Sequence, residues 1–211
     1  MFGDGSLTFQ EFMTHEPLPL ARIHDTVLEF LKGREDAVLF GAQAVNAYVD
    51  EPRMTQDVDV MSTRGPELAE EIRQHLADAF HIAVRTRNVR DGLGYRIYQV
   101  QKERNRHLVD VRPVTSFPPT QRVEGILVPV PEELIANKVF SFSRRRHKEK
   151  GLSDRLDLAR LLNAFPNLKE ESGPVRDQLM ASEADEGILT TWKEIVHEDY
   201  SPEDDGDEFE R

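Results

Sequence analysis

Apolar and polar positions along this chain alternate between two periods, and the switches between them mark out the elements. Ile23, Val27, Phe30 and Leu31 follow i, i+4, i+7, i+8 spacing and predict a helix over 20–32. A short apolar run then predicts a strand at 37–41, followed by a helix at 43–49 and a β-branched strand at 57–61. Pro66 opens a helix that runs to Phe80, with Leu68, Ile72, Leu76 and Ala79 along one side. Strands are predicted at 82–87, 95–100 and 107–112, the first two separated by the turn residues Asp91, Gly92 and Gly94. One further strand is expected from Val123 to Val130, ended by Pro129 and Pro131.

Beyond that point the period is helical. Leu134, Ile135, Val139 and Phe142 make an apolar stripe over Glu132–Arg146. A second helix is expected to start at Ser153, an N-cap preceded by Gly151, with Asp154, Asp157, Leu158, Leu161 and Phe165 on one face. Residues 173–182 and 185–197, the latter with Trp192, complete the helical part. The order predicts an α+β core over 1–130, a helical part over 131–197 and a tail over 198–211.

Charge sharpens the last boundary. The chain has 211 residues and a net charge of −12, but residues 198–211 alone contribute −7 and leave −5 for the rest. Such an acidic run is expected to be solvated and disordered. Residues 85–112 run the other way, with eight basic residues (Arg85, Arg87, Arg90, Arg96, Lys102, Arg104, Arg106, Arg112) against three acids, and a second basic cluster spans 144–150. Local basic patches on an acidic protein steer phosphate-rich ligands or simply balance acidic surface. Without cysteine there is neither a disulfide nor a thiolate zinc site, and the seven histidines show no metal-ligand spacing. No apolar run reaches the roughly 18 residues of a membrane helix, and the N-terminus lacks the basic and apolar regions of a signal peptide. A cytoplasmic protein is expected.

The candidate chemistry begins at Phe40-Gly41-Ala42, where an apolar run ends on glycine and leads into a helix start that could hold phosphate. Asp57 and Asp59, two residues apart on a strand, share one face and repel each other unless a hard cation such as Mg2+ relieves them. In His107–Arg112 an acid again sits in a strand: Val109 and Val111 point one way, Leu108, Asp110 and Arg112 the other. Lys138 falls inside the apolar stripe of its helix, where it either snorkels to water or presents its ammonium through the packing face. Asp154 in a first turn favours the helix dipole, whereas Asp157 lies deeper, beside leucines.

The pattern of apolar strand, Gly41-Ala42-Gln43-Ala44, Tyr48, Arg53-Met54-Thr55 and Asp57-Val58-Asp59 resembles the first motif of nucleotidyltransferases of the polymerase-β-like fold. It is most similar to the AbiEii type, many of them toxins of toxin–antitoxin pairs. Leu134 to Lys138 resembles that family's Leu-x-x-x-Lys, and Asp154 to Leu158 its Asp-x-x-Asp-Leu, so the likeness covers 38–162. It departs at Ala42, usually Ser or Gly, which keeps the backbone amide but has no hydroxyl.

The resemblance implies a polymerase-β-like core, a mixed sheet flanked by helices, followed by a helical part. It implies transfer of a nucleoside monophosphate from an NTP to an acceptor hydroxyl, with Mg2+ or Mn2+ held by Asp57, Asp59 and Asp110. Asp110 would also activate the acceptor. Gly41, Ala42, Gln43, Arg53, Thr55 and Lys138 would bind the nucleotide, and Asp157 would orient Lys138 or touch the nucleotide. Acceptors in the family include the tRNA 3′ end and protein hydroxyls, and relatives of the fold modify small antibiotics; tRNA or other RNA and a cognate antitoxin are the expected partners. The alternative is a catalytically inactive nucleotide-binding or interaction module of the same fold.

Overall fold

The computed structural model describes residues 18–89 and 91–198; the acidic tail read from the sequence lies, except for Glu198, outside the described residues. The chain divides into two compact units, Met1–Val130 and Pro131–Arg211.

In the first unit the elements follow the order α1 (Leu20–Leu31), β1 (Ala37–Phe40), α2 (Gly41–Asn46), β2 (Val58–Ser62), α3 (Gly65–Phe80), β3 (Val84–Val89), β4 (Gly94–Gln99), β5 (Arg106–Pro113), β6 (Thr120–Val123) and β7 (Ile126–Pro129). Five strands form a mixed sheet ordered β1-β2-β5-β4-β3, in which only β2 and β5 pair in parallel. Val58, Val60, Ile97, Val109 and Val111 are buried, as are Ile23, Val27 and Leu31 of α1 and Leu68, Ile72 and Leu76 of α3. Helix α3 packs along β2 to β5, and α1 lies against α3 and β5. Each such buried side chain contributes about 1.5–3 kcal/mol. Helices on one face of the sheet leave the opposite face for polar side chains.

The segment expected as one strand over Val123–Val130 is instead the end of a hairpin. Glu124 and Gly125 take positive φ angles of 49° and 84°, the conformation of a two-residue turn that matches strand twist, and β6 and β7 pair across it. Beside that turn, where the Gly33 N–H donates to the Gly125 carbonyl at 2.9 Å, Arg34 donates two parallel hydrogen bonds of 2.8 Å to Asp36 and a third, of 2.7 Å, to Glu71 of α3. The Arg34 guanidinium holds the Asp36 carboxyl below its ordinary range, burial pulling the other way.

The second unit is helical: α4 (Pro131–Arg145), α5 (Glu149–Ala164), a 3-10 turn (Pro166–Leu168), α6 (Pro174–Ala181) and α7 (Glu186–His197). Helix α4 is central, packing against α5, α6 and α7. Helix α5 starts at Glu149 rather than at Ser153. Gly151 does not break the helix but sits in its first turn, where a Cβ would come within 2.9 Å of the Arg145 carbonyl carbon and 3.2 Å of the Arg146 Cα. The glycine is required because the start of α5 turns back onto the end of α4.

Candidate active site

Register places the acids. Asp59 of β2 is the Cα partner of Asp110 of β5, and Asp110 is in turn opposite Arg96 of β4, which is opposite Arg87 of β3. Directly opposed residues share a face, so one row across the open side of the sheet reads acid, acid, base, base. Arg96 Nε donates to Asp110 Oδ1 at 2.9 Å.

Strict alternation would put His107 on the face opposite to Asp110. The pairing of β4 with β5 shifts by one residue between Ile97 and Tyr98, so that Tyr98 faces His107 and Leu108 is the extra residue of a bulge. Leu108 and Val109 are consequently both fully buried, which corrects the expectation that Leu108 shares a face with Asp110. The same shift brings His107 onto the acidic face. Its Nδ1 lies 3.0 Å from Asp57 Oδ2, its Nε2 lies 3.2 Å from Asp110 Oδ1, and its ring is 5.5 Å from that of Tyr98. Ligand atoms of Asp57, His107 and Asp110 lie within 4.8 Å of one another, so the structure supplies the histidine of metal-ligand placement that spacing alone did not show.

Electrostatics follow from the cluster. Burial disfavours the imidazolium, but the carboxylates of Asp110 and Asp57 outweigh it and push His107 up to about 9. Burial likewise raises Asp110, yet His107 and Arg96 hold it below the ordinary carboxylate value.

The other motif residues build the floor under these groups. Gly41 has φ +70°, and a Cβ there would sit 3.0 Å from Asp59 Cγ and 3.1 Å from Asp59 Cβ. Gln43 and Thr55 are buried and bonded to each other, Gln43 Nε2 donating to Thr55 Oγ1 at 2.9 Å. Asn46, also buried, clamps the backbone of Arg53: its Nδ2 donates to the Arg53 carbonyl at 2.8 Å and its Oδ1 accepts the Arg53 N–H at 3.1 Å. The loop leading into Asp57 is thereby tied to α2.

Within the helical unit, Lys138 of α4 is buried and its ammonium donates to Asp157 Oδ2 of α5 at 2.6 Å, with Asp154 Oδ1 at 3.5 Å. Arg145 grips Asp154 through two hydrogen bonds of 2.5 and 3.0 Å. Lys138 therefore does not snorkel to water.

A family model described as nucleotidyl transferase AbiEii toxin, type IV TA system, matches residues 26–204. The chain belongs to this family of nucleotidyltransferases. Among solved structures, the AbiEii-family chain is similar to the Megavirus polyadenylate synthase, with a TM-score of 0.57 and 14% identity over 74% of this chain and 34% of that one. It spans only about a third of the viral protein's length. It is also similar to JHP933 from Helicobacter pylori, with a TM-score of 0.51 and 14% identity over 90% of each chain. These likenesses show the fold. No curated protein matches the chain.

The structure brings together Asp59 with Asp110, Asp57 with His107, and Lys138 with Asp157. The sequence assigned no role to His107 or Asn46, and it placed Arg96 and Arg145 in basic patches without pairing them with Asp110 and Asp154. Asn46 left a signal, a polar residue at a buried position of the short helix within the motif. Among the described residues, no helix is long and apolar enough to cross a membrane.

Proposed function

We propose that this AbiEii-family nucleotidyltransferase transfers a nucleoside monophosphate from an NTP to an RNA hydroxyl, using the open face of the mixed sheet. The observation that carries this reading is the row Asp59, Asp110, Arg96, Arg87, carboxylates at one end and exposed arginines at the other. Arg85, exposed and opposite Tyr98, widens the basic end. A polyanionic acceptor held along the arginines would have its end at the carboxylates. This charge gradient favours RNA over a protein hydroxyl or a small antibiotic as acceptor.

The donor set fits a divalent cation, Mg2+ or Mn2+: ligand atoms of Asp57, Asp110 and the His107 imidazole lie within 4.8 Å of one another, Asp59 stands opposite Asp110, and the enclosed His107 Nε2 has no hydrogen-bond partner. When bound, such an ion neutralises the phosphates and the departing pyrophosphate. The protein's own part is positioning. Gly41 and Ala42 offer backbone N–H groups to the triphosphate, and Gly41 lets Asp59 approach. The Asn46 and Gln43–Thr55 contacts hold the loop that aims Asp57. Asp110, kept ionised by His107 and Arg96, accepts the proton of the attacking hydroxyl. A protein partner acting as antitoxin fits the type IV toxin–antitoxin family.

The test is incubation of the purified protein with labelled NTPs, total tRNA and Mg2+ or Mn2+. Label in RNA that is lost in Asp59→Asn and Asp110→Asn supports the reading. Label only in protein, or none with any NTP, overturns it.

A further inference from the structure

The bulge at Leu108 has a chemical result, because it turns an imidazole into a cluster that would otherwise be all oxygen. His107 Nε2 is fully enclosed and without a hydrogen-bond partner, yet it lies 3.2 Å from Asp110 Oδ1. A buried nitrogen left in that state is costly. The ring's other nitrogen, Nδ1, is 3.0 Å from Asp57 Oδ2. A cation entering at Nε2 would displace the proton of the imidazolium there while Asp57 keeps the Nδ1 hydrogen, which is the arrangement by which carboxylates orient metal-binding histidines. Cis ligands of an octahedral cation with bonds of about 2.1 Å stand about 3.0 Å apart, close to the spacing of Nε2 and Asp110 Oδ1.

Resting on the nucleotidyltransferase reading above, we propose that His107 is a nitrogen ligand of the active-site cation through Nε2, beside the Asp110 carboxylate, and that the site therefore selects Mn2+ over Mg2+. Asp57 orients the ring from its Nδ1 side, and the oxygen ligands come from Asp110 and from Asp59, its partner across β2 and β5. Mg2+ keeps to oxygen ligands and sheds water reluctantly, whereas imidazole suits transition metals. Arg96, 2.9 Å from the same Asp110 oxygen, weakens every divalent ion equally by repulsion. Discrimination is thus left to the nitrogen.

The experiment uses the full chain, freed of metal and without NTP, at one fixed pH. Mn2+ binding is titrated by electron paramagnetic resonance, with Mg2+ as competitor, and electron spin echoes of the bound Mn2+ are examined for 14N coupling. The wild type should show 14N coupling that disappears in His107→Ala. In that variant Mn2+ affinity should fall about tenfold or more, with Mg2+ affinity much less changed. Wild-type Mn2+ without 14N coupling overturns the proposal, and so does coupling that persists in His107→Ala; the first of these needs no variant to fold. NTP transfer is read separately. An inactive protein with 14N-coupled Mn2+ would sink the enzymatic reading and uphold the ligand, and an active protein without coupling would do the reverse.

Discussion

Gly41 and Asp59 are in contact: the carboxylate of Asp59 occupies the space a side chain at position 41 would need, with Asp59 Cγ only 3.0 Å from where that Cβ would stand. The φ of +70° at Gly41 adds a second reason for glycine. The turn residue and the acid are one device.

Gly41→Ala should therefore cost more in activity than in stability. The left-handed backbone costs about 1–2 kcal/mol, seen as a melting temperature lower by roughly 2–4 °C per kcal/mol. The displaced carboxylate should lower NTP transfer on the order of a hundredfold. Equal losses in Gly41→Ala and in a distant variant of matched stability would show that Asp59 is not displaced.

Asn46→Ala removes both side-chain bonds to the Arg53 backbone, at 2.8 and 3.1 Å, from a buried site. The backbone groups left behind should cost about 1–3 kcal/mol, checked by denaturant unfolding. Hydrogen exchange should rise in residues 50–57 and not in β5. Uniform exchange across the sheet would mean that the loop is held by something else.

The pH dependence of stability should carry the signature of His107. Its folded value, about 9, lies above the unfolded value near 6.5. The stabilisation is therefore complete below about pH 6.5 and is lost as pH rises through about 9. The groups facing the ring are Asp57, Asp110 with its partner Arg96, and Tyr98. Metal-free wild type should lose stability between those limits relative to His107→Gln. Parallel pH profiles for the two proteins would refute the pairing.

How much of this was legible in the sequence depended on whether local pattern or tertiary contact decided each feature. Asp59 and Asp110 could be read because each lies between apolar residues of a regular strand. His107 could not, because a bulge reverses the alternation and nothing in Arg106-His107-Leu108-Val109 announces it. The stripe of α4 predicted where Lys138 lies, but Asp154 looked like a first-turn acid. Its partner Arg145 becomes visible only once Gly151 lets α5 fold back on the end of α4. The hairpin at Glu124-Gly125 was missed because Glu is a rare residue at positive φ.

Arg96→Gln probes the boundary between the acidic and basic ends of the row. Its pair with Asp110 is partly exposed, so stability should change by no more than about 1 kcal/mol. Removing the repelling cation should raise affinity for Mn2+ and Mg2+ alike, by about two- to tenfold. Binding of RNA should weaken and lose part of its salt dependence. Tighter metal with unchanged RNA binding would remove Arg96 from the acceptor path.

The final prediction concerns Lys138, which the structure buries against Asp157. A snorkelling lysine could be replaced by methionine without loss, and in an apolar stripe the change would even stabilise. Here the ammonium instead lies 2.6 Å from Asp157 Oδ2, and Asp157 is completely buried. Lys138→Met removes that charge partner from a carboxylate that cannot reach bulk water. Breaking one side of a buried pair costs about 3–5 kcal/mol, far more than methionine recovers through its apolar stem. Asp157→Asn should also destabilise, since it removes the nearer of the ammonium's two carboxylates and leaves Asp154 Oδ1 at 3.5 Å. The double variant Lys138→Met/Asp157→Asn should be more stable than the sum of the two losses, with a coupling of about 1–3 kcal/mol. The measurement is a double-mutant cycle by urea unfolding, with turnover followed in parallel. Additive losses would show that the two side chains do not depend on each other. A positive coupling with turnover still lost in the double variant would show that the pair serves catalysis beyond holding α4 to α5.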